Sequence, residues 1–356
     1  MLRRLFAGFA VAACTTGLLQ APVGAQRGAP AQDPGLPTEK QMAESPVAQK
    51  HIAAAMAIAK SDLQAEAKAN CTATGPRRPS LIRQMAGLPP EPQVVIEPTK
   101  IFDNFYYFGF NTVGGWALTT SAGIILIDTL NSAEDAEKVI VPSLQKLGLD
   151  PTQIKYIIVQ HGHADHFGGA LYLQDKYNAR VVMGAADWEI IGGQGRGGRN
   201  RPVPRRDIDV THNGQQLTLG DTTVTMALTP GHTPGSIALF FPVKDRGRQH
   251  TATILSLTTP DRDDLVALER AVNDFAKPQK AAARFASHLQ GEHVTWLESL
   301  RKNPSGPNSY LYSEERFSRY LDIMSNVQER GSRHWSTKCR EPGQMQRDIE
   351  RTPTVT

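Results

Sequence analysis

The chain has 356 residues, 40% of them hydrophobic, and a formal net charge of +4. That is enough apolar material to bury the core of one large domain. The small charge argues against a protein that grips nucleic acid or an acidic membrane surface electrostatically, and no repeat of solenoid period is visible.

The N-terminus sets an expectation about compartment. Met1-Leu2-Arg3-Arg4 is basic, residues 5–19 are mostly apolar, and Val23-Gly24-Ala25 before Gln26 fits a small-residue cleavage site. Residues 1–25 therefore read as a secretory signal peptide, because the apolar run is too short and interrupted for a transmembrane span. Val11-Ala12-Ala13-Cys14 offers an alternative, a lipoprotein cleavage box. The expected location is periplasmic or secreted. Beyond that segment only Cys71 and Cys339 remain. An even pair in an exported chain predicts one disulfide, here tying the N-terminal extension to the C-terminal tail.

Residues 26–37, rich in Pro, Gly and Gln, read as a linker. Residues 51–70 are alanine-rich and predict a helix, while the proline-dense residues 76–98 predict a crossing loop. Short strands follow at 105–109, 115–119 and 123–128. Residues 133–147 have helical periodicity with a kink expected at Pro142. The apolar run 154–159 predicts a buried strand. After it come a helix at 171–177, a strand at 180–183, a turn at 217–221 and a strand at 223–228. Strands alternating with helices in two strand-rich halves suit an α+β chain folded as a four-layer αβ/βα sandwich, two mixed sheets flanked by helices. The expected organisation is an N-terminal linker and helical extension over 26–95, a catalytic domain over 96–326 and a tail over 327–356.

The chemistry is concentrated in histidine. His161-Gly162-His163-Ala164-Asp165-His166 packs three histidines and an aspartate into six residues directly after the strand at 154–159. His161 and His163 are two apart, so in extended backbone they project the same way and can grip one ion. Gly162 and Ala164 leave room for a turn that aims Asp165 and His166 at a second ion. Gly168-Gly169 offers small residues where a helix can start close by. Imidazole with one carboxylate suits zinc better than magnesium or calcium, which prefer oxygen shells. His232 lies in Thr229-Pro230-Gly231-His232-Thr233-Pro234-Gly235-Ser236, and a third element is Ser287-His288, with His293 a nearby competitor.

This pattern resembles the metallo-β-lactamase superfamily, over about residues 101–325, and within it class B, subclass 3. The resemblance implies that His161, His163 and His232 hold one Zn2+ and that Asp165, His166 and His288 hold a second, two per chain. It makes Asp128, ending Ile124-Ile125-Leu126-Ile127, the carboxylate that orients a ligand histidine. Leu130 stands where the family usually has glycine, so that loop is expected to differ. The resemblance also implies a strand at 251–258 and a last helix at 310–324; that strand has no cysteine, and Ser256 stands near the place of the bridging aspartate of lactonase and glyoxalase II relatives. Ala286-Ser287-His288-Leu289 departs from the usual S-N-H-P, and residues 258–264 replace a glycine-rich segment near the substrate. The implied activity is a zinc-dependent hydrolase, a β-lactamase that opens the β-lactam amide with a zinc-activated water. Asp165 would ligate, orient the nucleophile and relay a proton; Ser256 and Thr258 would bind a carboxylate of a small-molecule substrate. The alternatives are a same-fold hydrolase of a lactone or other ester, and a zinc-binding protein without activity. The glycine- and arginine-rich stretch 192–206 is either a solvated linker or a cationic flank of the pocket.

Overall fold

The computed structural model describes residues 39–71, 89, 92–191, 201–255, 262–289 and 292–331. A seven-stranded sheet is built from β1 (Val95–Phe102), β2 (Phe105–Phe110), β3 (Gly114–Thr120), β4 (Gly123–Ile127), β5 (Ile154–Ile158), β6 (Arg180–Gly184) and β7 (Ile208–Val210), in that spatial order. Its first four strands pair antiparallel, and β4 through β7 pair parallel. A five-stranded sheet contains β8 (Gln215–Leu219), β9 (Thr222–Leu228), β10 (Ile237–Asp245), β11 (Arg248–Ile254) and β12 (Ala281–Phe285), ordered β12-β11-β10-β9-β8. Both sheets are mixed, since β11 and β12 are parallel and the other neighbours antiparallel.

The period-2 alternation of each strand serves two cores. Ile125 and Ile127 of β4 face Leu239 and Phe241 of the other sheet in the central core. Leu126 faces outward onto the helix at residues 133–146 (α4), contacting the group of Val139, Ile140 and Leu144. Before α6 (Ala170–Tyr177) lies the single turn α5 (Ala164–Phe167), and α7 (Ala185–Ile191) completes that outer layer through Trp188 and Ile191. On the second sheet, α8 (Arg262–Ala271) and the last described helix, Glu314–Gly331, cover Ala227, Ala238 and Phe240. Between those two helices in sequence, Glu292–Lys302 (α9) closes the side of the central core with Leu297 and Leu300; the last helix is therefore α10. Helix, sheet, sheet, helix is the expected four-layer order.

Several local expectations need correction. Residues 217–221 are not simply a turn: Leu217 to Leu219 belong to β8, whose Leu217 is buried, and the turn falls at Gly220 with φ +57°. The proline-dense stretch ends sooner than expected, because Val95 already pairs with Phe110. Pro98 is tolerated there since β1 is an edge strand and the register shifts between Ile96 and Thr99. The strand expected at 251–258 runs instead over Arg248–Ile254, and Ser256 and Thr258 lie outside the described residues. In α4 a wide π-turn over Ala136–Ile140 precedes Pro142, whose missing amide hydrogen no longer interrupts a regular ladder. The helical stretch expected at 310–324 starts later, where the Ser313 hydroxyl caps Arg316 N at 3.1 Å.

The alanine-rich segment is two helices, Pro46–Ala59 (α2) and Gln64–Asn70 (α3), preceded by a short one at Glu39–Glu44 (α1). The break is at Lys60, with φ +47°. Ala55, Ala59, Leu63 and Ala67 pack on Ile323 of α10. Arg319 grips Asp62 through two nitrogens at 2.9 and 2.7 Å. No described helix is long and apolar enough to cross a membrane.

Candidate metal centre

The candidate ligand residues sit where strand ends from both sheets meet. Pairing of Ile127 with Ile158 brings the carboxyl ends of β4 and β5 side by side. Asp128 follows the first and His161 the second, while His232 comes from the β9–β10 turn and His288 from beyond β12. The chain after β4 makes a sharp corner: Asp128 and Leu130 have φ of +62° and +59°. A branched residue in that region costs roughly 1–2 kcal/mol, which is why glycine suits position 130. Leu130 is fully buried, so the corner is kept against that cost rather than rebuilt.

Two clusters of donors result. One ligand atom each from His161, His163 and His232 lie within 4.8 Å of one another, and Asp165, His166 and His288 form a second such group. The three rings of the first group stand edge-on, with centroids 4.6 to 4.9 Å apart. His161 and His166 rings, 3.8 Å apart, join the groups. Asp165 Oδ2 lies 3.6 Å from His166 Nε2 and 3.4 Å from His288 Nε2. Burial, followed by the neighbouring histidines, holds the His161 imidazole well below its ordinary pKa. It is therefore neutral, with a lone pair to offer. Burial works to raise the Asp165 carboxyl, but His166 and His288 hold it below the usual value.

The donors fit zinc on this structure's own evidence. His161 Nε2 is buried and meets no hydrogen-bond partner among the described residues, a costly state that a bound cation resolves. Tautomers are fixed by what lies behind the rings. His288 Nδ1 is 2.8 Å from the Thr112 carbonyl, an acceptor only, so Nδ1 carries the hydrogen and Nε2 the lone pair. His166 Nδ1 donates likewise to Asp128 Oδ2 at 2.7 Å. Asp128 is itself held by the amide and side chain of Gln160, at 2.9 and 2.7 Å, and by the Ser287 hydroxyl at 2.5 Å. Three nitrogens, and two nitrogens with one carboxylate, are zinc-type donor sets.

Sequence reasoning missed the supporting residues. Gln160 and Ser287 were next to ligands and went unassigned. Asp187 on α7 carries no spacing signal, yet its buried carboxylate accepts from Gly162 N at 2.6 Å, Thr233 Oγ1 at 2.6 Å and Gly235 N at 2.7 Å. Burial pushes its carboxyl up, against those three hydrogen bonds. Of the cationic stretch, residues 192–200 lie outside the described residues. Arg206 is committed to Asp209 and Glu189, at 2.7 Å each, and Arg205 pairs with Asp175. Cys71 is half-buried at the end of its helix, and Cys339 lies outside the described residues.

The competitor His293 does not join either cluster. Its ring packs on Trp296 at 4.8 Å and Tyr310 at 5.5 Å. Burial, then the Arg284 charge, lowers its pKa from 6.5 to about 4. Its neutral form is thus favoured in the fold. The unfolded chain binds the proton first, so stability is full above pH 6.5 and falls as pH drops toward 4. By pH 4 the shift corresponds to about 3 kcal/mol. We expect metal-free His293→Leu protein to lose about that much less stability than the parent between pH 7 and 4, by urea unfolding. Identical losses would contradict the buried neutral imidazole.

Comparison with known proteins agrees with this geometry. Residues 116–246 match the sequence model of the metallo-beta-lactamase superfamily. The N-acyl homoserine lactonase AttM of Rhizobium radiobacter is 29% identical over 112 residues, 30% of this chain and 42% of that protein. The hydroxyacylglutathione hydrolase of Acidiphilium cryptum is 32% identical over 89 residues, 25% of this chain and 31% of that protein. The chain thus spans less than half the length of these two curated relatives. Among solved structures, BJP-1, a subclass B3 metallo-beta-lactamase of Bradyrhizobium japonicum, superposes with a TM-score of 0.54 at 26% identity, covering 66% of this chain and 93% of that one. In this fold and in its strand-end donors the chain is similar to the metallo-beta-lactamase superfamily, whose model it matches over residues 116–246, and a subclass B3 enzyme stands among its structural neighbours.

Proposed function

We propose that the protein is a zinc-dependent hydrolase that opens the amide of β-lactams, exported to the periplasm or secreted. The observation that carries this reading is the pair of adjoining donor clusters, His161–His163–His232 and Asp165–His166–His288, each one ion in size. Zinc bound there supplies Lewis acidity and brings the pKa of a water to about 7. The chain's own residues then divide the work. His161, His163 and His232 offer ring nitrogens from the edge where the two sheets meet. Asp128 and the Thr112 carbonyl hold His166 and His288 in the tautomer that presents Nε2. Asp165, about one-third exposed, completes the second cluster and orients the attacking water. It also takes a proton at its carboxylate and returns it to the departing amide nitrogen. Ser256 and Thr258 are proposed to bind a substrate carboxylate from the segment after β11. A Cys71–Cys339 disulfide is proposed to fasten the N-terminal helices to the tail beyond α10.

The subclass B3 neighbours support the amide reading. A second reading, hydrolysis of a lactone or other ester, is favoured by the lactonase and hydroxyacylglutathione hydrolase among the sequence relatives. One assay separates them. Purified mature protein is expected to turn over a chromogenic cephalosporin, to stop on exhaustive chelation and to recover with zinc. Turnover that survives chelation would sink the metal-dependent reading. Chelation-sensitive lactone hydrolysis without cephalosporin turnover would replace the amide with the ester.

A further inference from the structure

The first donor cluster comes from two separate loops. His161 and His163 lie after β5, and His232 lies in the β9–β10 turn, in the other sheet. No ligand bond joins those loops in the protein alone. A backbone bond ties their flanks, Ile237 N donating to Gln160 O at 3.0 Å, and the side chain of Asp187 reaches both backbones beside the ligands. Its Oδ2 accepts from Gly162 N, between His161 and His163, and from Thr233 Oγ1, next to His232. Its Oδ1 accepts from Gly235 N, three residues past His232. All three groups donate, so the ionised carboxylate satisfies every one. Close approach is built in by glycine: a Cβ on Gly184 would meet Gly235 O at 1.9 Å, and one on Gly235 would meet Asp187 N at 2.5 Å. The β9–β10 turn is thereby pressed against the start of α7.

The second cluster has a different support. Asp128 holds His166 and Ser287, the neighbour of His288, and also accepts from the amide and side chain of Gln160, the residue before His161, whereas the bonds of Asp187 go to Gly162, Thr233 and Gly235 beside the first cluster. We propose that Asp187 is a positioning residue for the three-histidine site alone, pre-assembling His161, His163 and His232 before any ion binds, while Asp128 holds His166 and the residues before His161 and His288. The three-histidine position then has a buried carboxylate of its own, which can be weakened while the Asp128 support of the other position stays in place. This rests on the two-cluster reading above.

The test reads metal affinity, not turnover. In a His288→Ala protein the remaining zinc reports the three-histidine site, and in a His232→Ala protein it reports the other. Zinc affinity is measured by competition with a chromophoric chelator, beside melting of the metal-free protein. Asp187→Asn keeps the shape but turns an NH2 toward donors. It is expected to weaken zinc about 10–100-fold in the His288→Ala background and to leave affinity unchanged in the His232→Ala background. Thr233→Val removes one donor with little change of volume and should weaken the same site, with Thr233→Ser restoring it. That pair decides the matter if Asp187→Asn fails to fold. Equal weakening of both sites, or an intact three-histidine affinity in folded variants, overturns the inference. A His288→Ala protein that binds no zinc overturns the two-cluster reading and the inference with it.

Discussion

His163→Ala protein is expected to fold, to retain about one zinc per chain instead of the two its donor clusters imply, and to lose hydrolysis by at least about a thousandfold, since a Lewis acid is worth several kcal/mol at the transition state. The position is well suited to the test. His163 is only half-buried and precedes the single turn α5, so alanine removes a ligand atom without opening a core cavity. The buried neighbour His161, by contrast, would leave a hole beside His166. His161 and His232 remain in the variant but offer only two donors, too few for a stable zinc site. Asp165, His166 and His288 keep their supports at Asp128 and Thr112, so the second position should still fill. The measurement is metal content by elemental analysis, with steady-state hydrolysis and melting of the metal-free protein on the same preparation. Full activity with less than one metal per chain would refute the assignment of this cluster.

Why the metal clusters were readable and their supports were not has a physical answer. Ligand spacing is local: His161, His163, Asp165 and His166 sit on one short loop, so extended-strand geometry already places them together. His232 and His288 were placed by resemblance, and the strand ends carry them to the same edge. Asp187 belongs to no such spacing. Its role exists only because β6 and the β9–β10 turn come into contact through Gly184 and Gly235, a long-range fact. Strand β8 was misread for a similar reason. Gln215-Gln216-Leu217-Thr218-Leu219 is short and mostly polar, and only pairing with β9 makes it a strand. Leu130 is a further case. Its side chain gives no sign of a left-handed residue, yet its backbone has φ +59°, in the same turn as the Asp128 that reaches His166.

The central core that holds this edge in place should be most sensitive at Trp116. Its ring stacks on Phe105 at 5.3 Å, meets Tyr107 edge-on at 5.1 Å and lies 4.9 Å from Phe285 of the opposite sheet. It is fully buried, and its partner across β3 and β4 is Ile127, the residue before Asp128. Trp116→Ala therefore opens a large cavity between the sheets, directly beneath the corner that carries the orienting carboxylate. Such truncations cost about 3–5 kcal/mol, a large share of the roughly 5–15 kcal/mol that separates folded from unfolded domains. Trp116→Phe should cost clearly less. It keeps an aromatic ring against Phe105 and Phe285, and it deletes an indole Nε1 that has no acceptor among the described residues. Urea unfolding of the metal-free proteins measures both. Zinc affinity of the second cluster should fall with Trp116→Ala and hold with Trp116→Phe, because the cavity loosens Ile127 and with it Asp128. A loss below about 1 kcal/mol for Trp116→Ala would mean that the two sheets are not locked together at this point, and that the metal edge draws its rigidity from elsewhere.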